Sequence, residues 1–145
     1  MRIDGPVERI GNVASIKMIS EVEATDEVER IYKDIKDTLG IDFVPNMYKA
    51  MASNPSYLAA SWNKIQAIMN QTSKLDDLTK AIIALTVSTM NGCAYCITVY
   101  TGAVRKYGLD DQGVTELVGV IDLFNGLNKF NTGLQIEMDE EPWFG

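Results

Sequence analysis

The residues best equipped for chemistry are two cysteines three positions apart, in the run Cys93-Ala94-Tyr95-Cys96, and they are all the cysteine the chain contains. A thiolate is the nucleophilic form of cysteine. At a helix N-terminus the unpaired amides and the positive end of the macrodipole stabilise it, lowering the pKa from about 8.5 into the range of roughly 3.5–7.5. Two cysteines at this spacing on a helix lie on one side, within reach of a disulfide after small adjustment. Such a pair can pass between dithiol and disulfide, and in a reducing compartment that placement favours redox chemistry over a structural bridge. Other readings compete. The cysteines can be small buried hydrophobes, one half of a zinc site completed by carboxylates or a second chain, or a bridge between subunits. A thioredoxin-type reading fits poorly, because that motif follows a strand and here an apolar helical pattern precedes it.

Composition narrows what else could help. Among 145 residues there is no histidine, and imidazole is the commonest general base near neutral pH and the commonest metal ligand. Serine-histidine triads and histidine-ligated metal sites are therefore excluded within this chain. Chemistry must run on thiols, phenols, carboxylates or amines, and neither a cofactor nor a metal is expected. Thirteen Lys and Arg against twenty Asp and Glu give a net charge of −7; that balance repels a phosphate backbone, so nucleic acid is not an expected partner. The longest apolar run, Ala81 to Leu85, is too short to span a membrane, and the charged opening MRIDGPVERI is unlike a signal peptide. The expected location is the cytoplasm. A chain of this length can bury about 68–70% of its unfolded surface without disulfide or metal staples, as one domain.

The elements that must hold the thiols read as helices. After an irregular arm over residues 1–24 with Gly5-Pro6 and Gly11-Asn12, Thr25 caps a helix with Asp26, Glu27 and Glu29 in its first turn and Val28, Ile31, Ile35 and Leu39 along one face, stopped by Gly40. Asp42 to Asn46 make an extended link, because Pro45 disfavours helix at Val44, and Asn46 is expected to cap a brief helix through Met51. Asn54-Pro55 starts a helix to about Asn70 with Leu58, Trp62, Ile65 and Met69 as its stripe. Leu75-Asp76-Asp77 opens another to Met90, in which Leu78, Ile82, Leu85 and Thr89 share a face that Ile83 and Val87 widen; burial on most sides is expected. Asn91-Gly92 breaks it, and helix resumes from about Cys93 to Tyr107 before Gly108. From Asp110 a long helix carries Val114, Leu117, Val118, Ile121 and Phe124 inward, with Leu127 and Phe130 continuing to about Gly133. No stretch alternates as a strand does, so the fold class is all-α. The tail over 136–145 is acidic, then aromatic at Trp143 and Phe144, which are expected to tuck onto a neighbouring surface.

The run from Leu75 to Cys96, LDDLTKAIIALTVSTMNGCAYC, together with Gly108-Leu109-Asp110, Phe43-Val44-Pro45-Asn46 and Phe124-Asn125 through Phe130-Asn131, resembles the carboxymuconolactone decarboxylase and alkyl hydroperoxidase D-like superfamily, in its peroxidase-related branch. The resemblance covers roughly residues 25–135. It implies an AhpD-like helical bundle, assembled as a trimer or a hexamer built from trimers, with the thiol pair near a subunit contact. It also implies that the cysteines reduce a small hydroperoxide or disulfide and are reduced again by a dithiol partner. Cys96 would be the attacking thiol and Cys93 the resolving one. The family's relay glutamate and histidine correspond here to Ala81 and Tyr100. A methyl group moves no proton, and a phenol with a reference pKa of about 10 is a weak base at neutral pH, although Tyr100 can donate a hydrogen bond to a sulfur on its own helical face. Tyr95 and Thr98 join Ala81 as pocket-lining candidates. General acid-base help is typically worth about 10²–10⁴-fold, so the expected activity is thiol-disulfide exchange with slow peroxidase turnover. The alternative is a non-catalytic oligomeric scaffold or binding member of the family.

Overall fold

The computed structural model describes residues 14–71 and 74–139. Gly5-Pro6, Gly11-Asn12, Trp143 and Phe144 lie outside the described residues. Among those described there are six α-helices, one π-helical turn and no strand. The chain divides into two compact units, one ending at Gln71 and the other beginning at Thr72.

In the first unit α1 (Asp26–Leu39) buries Val28, Tyr32 and Ile35, one side of the helix at four- and three-residue spacing. Thr25 is extended at the N-cap position but its side chain makes no cap bond; Gly40, at φ 65°, ends the helix as expected. The tyrosine hydroxyl reaches out of this core to donate to the Ile19 carbonyl at 2.8 Å, tying down the preceding segment. Burial and the nearby Glu21 charge push the Tyr32 phenol up to about 12. α2 (Asn46–Met51) departs from expectation at its start: Asn46 is the first helical residue rather than the cap, and the Pro45 carbonyl accepts the Tyr48 amide at 3.0 Å. α3 (Pro55–Ile65) begins as the Asn54-Pro55 signal predicts, with Asn54 Oδ1 accepting the Tyr57 amide at 3.2 Å. Its stripe buries Leu58 and Trp62, then loosens into a π-helical turn over Gln66–Asn70. Trp62 packs edge-on against Tyr48, ring centroids 5.6 Å apart, and its indole N–H donates to Asp34 Oδ2 at 2.6 Å.

The second unit holds α4 (Asp77–Met90), α5 (Ala94–Lys106) and α6 (Asp111–Gly133). Aspartates cap two of them: Asp76 Oδ1 accepts the Thr79 amide at 2.7 Å, and Asp110 Oδ1 accepts the Gly113 amide at 2.9 Å. Their core is Ala81 and Leu85 from α4, Val104 from α5, and Leu117 and Ile121 from α6. Two expectations fail here. α4 is not buried on most sides, because Ile83 and Val87 are 48% and 54% exposed in the single chain. The inward stripe of α6 is narrower than its sequence suggests: Val118 and Phe124 are open to solvent, as are Leu127 and Phe130. The long α6 has apolar residues on more faces than α4 and α5 can cover. None of the described helices is long and apolar enough to cross a membrane.

Candidate functional site

The thiol pair sits where α4 stops and α5 starts, and the local sequence builds that corner. After Met90 the chain closes in a Schellman turn: the Gly92 amide donates to the Thr89 carbonyl at 3.1 Å and the Cys93 amide to the Ser88 carbonyl at 3.0 Å. The turn needs a left-handed residue, and Gly92 supplies it at φ 66°; open space surrounds the place of a Cβ, so backbone conformation rather than crowding selects glycine. The chain leaves this turn extended at Cys93, φ −81° and ψ 91°, which makes Cys93 the N-cap of α5. Its sulfur takes the part a serine oxygen usually plays, accepting the Cys96 amide at 3.4 Å.

This position divides the two thiols electrostatically. Cys93 is lowered, first by the hydrogen bond from the Cys96 side chain, then by the Cys96 and Tyr95 amides; partial burial opposes them. Cys96 is raised, first by that same side-chain bond, then by burial and by the charge on Cys93, while a hydrogen bond from Ser88 pulls the other way. Both are free thiols and both are half-buried, so neither is sealed from water. The acidic sulfur is thus Cys93, opposite to the roles that the family resemblance implies.

The remaining expected site residues divide by placement. Tyr100, one turn beyond Cys96 on α5, is half-buried and packs against the apolar cluster to which Ala81 belongs. Burial and the negative charge of Cys96 raise the Tyr100 phenol, which keeps it a proton donor through the neutral range. Ala81 itself is 1% exposed and offers only a methyl group. Tyr95 contributes through its amide, one of the donors to Cys93, while its side chain is largely exposed. Thr98 is exposed, and its hydroxyl donates to the Ala94 carbonyl at 3.0 Å within its own helix. Ser88 was not singled out by sequence reasoning, yet its carbonyl accepts the Cys93 amide at 3.0 Å. Among the described residues no three metal-ligating side chains of histidine, cysteine, aspartate or glutamate cluster.

Residues 55–136, which include both cysteines, match the carboxymuconolactone decarboxylase family. Over 111 residues the chain is 32% identical to the (R)-2-haloacid dehalogenase of Pseudomonas putida, a match covering 74% of this chain and 35% of that protein. It is 35% identical over 69 residues to the uncharacterized protein YdfG of Bacillus subtilis, covering 44% of this chain and 47% of that one. The chain thus spans about a third and about half of these relatives' lengths. The crystal structure of the alkylhydroperoxidase AhpD core from Rhodospirillum rubrum is similar in fold, with a TM-score of 0.82 and 33% identity over 88% of this chain and 95% of that one.

Proposed function

The chain belongs to the carboxymuconolactone decarboxylase family and has the AhpD-like all-helical fold, and from this we propose that it is a thiol-disulfide oxidoreductase whose redox centre is Cys93 and Cys96. The observation that carries the reading is the N-cap contact, in which the Cys93 sulfur accepts the Cys96 amide. It supports a thiolate at Cys93 without any imidazole. Cys93 makes the first attack on a small disulfide or hydroperoxide, and Cys96 resolves the intermediate to the internal disulfide. A dithiol partner then restores both thiols, in keeping with a cytoplasmic, reducing setting.

For a hydroperoxide the first step breaks the O–O bond, leaves Cys93 as a sulfenic acid and releases an alkoxide that must gain a proton. Attack by Cys96 then forms the disulfide and expels water. Tyr100 is a candidate donor for such a proton, but its raised pKa makes it a reluctant one. A thiol leaving group needs less help than an alkoxide, so disulfides are turned over faster than hydroperoxides. The test is turnover of each substrate with dithiothreitol as reductant. The native protein should consume the disulfide catalytically, whereas Cys93→Ser should not; equal rates would remove the reading.

A second reading is favoured by the apolar surface of the second unit. Ile83 and Val87 on α4 and Val118, Leu123, Phe124, Leu127 and Phe130 on α6 are all exposed in the single chain, more than a soluble monomer usually shows. We propose that copies of this chain cover that surface in a homo-oligomer. Were the thiols unreactive toward alkylation at pH 8 in the folded assembly, the chain would be a scaffold member of its family instead. Sedimentation equilibrium measures the assembly directly, and a monomer at micromolar concentration would contradict it.

A further inference from the structure

α6 buries Leu117 and Ile121 against its own unit. The opposite side of the helix carries Gly119, Leu123, Gly126, Phe130 and Gly133, at alternating spacings of four and three residues. That spacing draws a single line along a helix surface. Leu123 and Phe130 are exposed, and open space surrounds the place of a Cβ at each of the three glycines. None of the three has a positive φ. Glycine is the poorest helix former after proline, so within the chain neither backbone conformation nor crowding accounts for it here. Large side chains and missing ones alternate on this face as knobs and holes.

We infer that this face of α6 packs antiparallel against the same face of a second copy about a two-fold axis, with Leu123 over the partner's Gly126 and Phe130 over the partner's Gly119. The inference rests on the assembly reading above and gives it a contact and a register. In an antiparallel pair the residue numbers that meet at one level add to a constant. Leu123 with Gly126 and Phe130 with Gly119 give the same sum, so one register seats both knobs, and the two-fold axis repeats each contact. A parallel pair in register would instead set leucine on leucine and leave glycine facing glycine.

Charge selects the same arrangement independently. Asp122 and Lys129, seven residues apart, share one flank of this face, and both are exposed. Neither makes an ion pair among the described residues. Antiparallel packing brings like flanks together, so in this register Lys129 comes within one turn of the partner's Asp122, twice by symmetry. Val120, Leu127 and Leu134 on the other flank are exposed too; covering them and the knobs from both copies removes on the order of 1,000 Å² of surface, the lower end for a specific interface. A contact about a two-fold axis closes on itself and yields even copy numbers, a dimer alone or a hexamer where trimers meet through it.

Sedimentation equilibrium of the full chain and its variants tests this. Gly126→Leu fills a hole that its own chain leaves open, and leucine is much the better helix former, so the helical circular dichroism should persist. The new side chain collides with the partner's Leu123 twice in each contact, and association should weaken about a hundredfold. Asp122→Lys and Lys129→Asp should each weaken association about three- to tenfold at low salt, and the two together should return it to within about twofold of the native protein. Net charge alone would move the two single variants in opposite directions, since one reduces the excess of negative charge and the other adds to it. Four outcomes overturn the inference while leaving the assembly reading in place. They are a Gly126→Leu protein that assembles like the native one, single charge variants that do not both weaken association, a double variant that is not rescued, and a native assembly with an odd number of copies. A native monomer removes both. If Gly126→Leu does not fold, the charge exchange decides alone.

Discussion

The Cys96 amide donates to the Cys93 sulfur at 3.4 Å, and the hydrogen bond between the two side chains, with that amide, shifts thiols three residues apart in opposite directions. The first is drawn toward its anion and the second is held back from it.

That asymmetry sets the order of reaction with an electrophile. Iodoacetamide supplied below one equivalent at pH 7 should modify Cys93 ahead of Cys96 by about tenfold, since only the thiolate reacts. Peptide mass mapping reads the ratio. Preferential labelling of Cys96 would reverse the proposed roles.

Ala81 and Tyr100 share an apolar core, so restoring one relay member alone should be harmful. Ala81→Glu places a carboxylate where the residue is 1% exposed, at a cost of several kcal/mol, roughly, unless it is paired or protonated. Its melting temperature should fall. Ala81→Glu with Tyr100→His should recover part of that loss and raise hydroperoxide turnover by about 10²-fold or more. A double variant no faster than the native protein would mean that something other than the lost relay limits turnover.

Glu21 ties the segment before α1 to Lys36 at 2.7 Å and to the Val44 amide at 2.9 Å. Those bonds, the lysine first, hold its carboxyl below its ordinary value of 4.5. A carboxylate lowered in the folded state stabilises fully above its unfolded pKa and loses that contribution as pH falls through the folded value. Glu21→Gln should therefore melt lower than the native protein at pH 7, and the gap should narrow as pH drops below about 4.5. A gap unchanged down to pH 2 would assign the effect to shape rather than charge.

Leu58 and Leu85 anchor the two separate cores, at 0% and 2% exposure. Truncating either to alanine should destabilise the protein by about 2–5 kcal/mol in chemical denaturation. A loss below about 1 kcal/mol would mean that neighbouring side chains collapse into the space.

Most of this architecture was legible because local signals state it. Asn54-Pro55, Asp76 and Asp110 mark helix starts, and Gly40, Gly92 and Gly108 mark left-handed stops at φ 65°, 66° and 109°. Asn46 misled because a cap residue after proline can equally be the first helical residue, with the proline carbonyl taking over. The exposure of Ile83, Val87, Val118 and Phe124 was hidden because hydrophobicity shows that a face avoids water, not whether its own chain covers it. At the site, the cysteine spacing gave the pair, but which sulfur becomes acidic depends on which one caps the helix, a matter of a single residue's backbone angles at Cys93. Ser88 went unnoticed because a serine inside an apolar helix has no local mark distinguishing a thiol partner from a hydroxyl bonded to its own backbone.

The most direct measurement is an equilibrium titration of the purified protein against mixtures of reduced and oxidised dithiothreitol, with free thiols counted by mass after alkylation. The expected result is joint loss of both thiols in one two-electron step, with a mass decrease of two hydrogens and no link between chains, and disappearance of that step in Cys93→Ser. Thiols that stay reduced throughout, or that oxidise only by joining two chains, would contradict a redox centre built from Cys93 and Cys96.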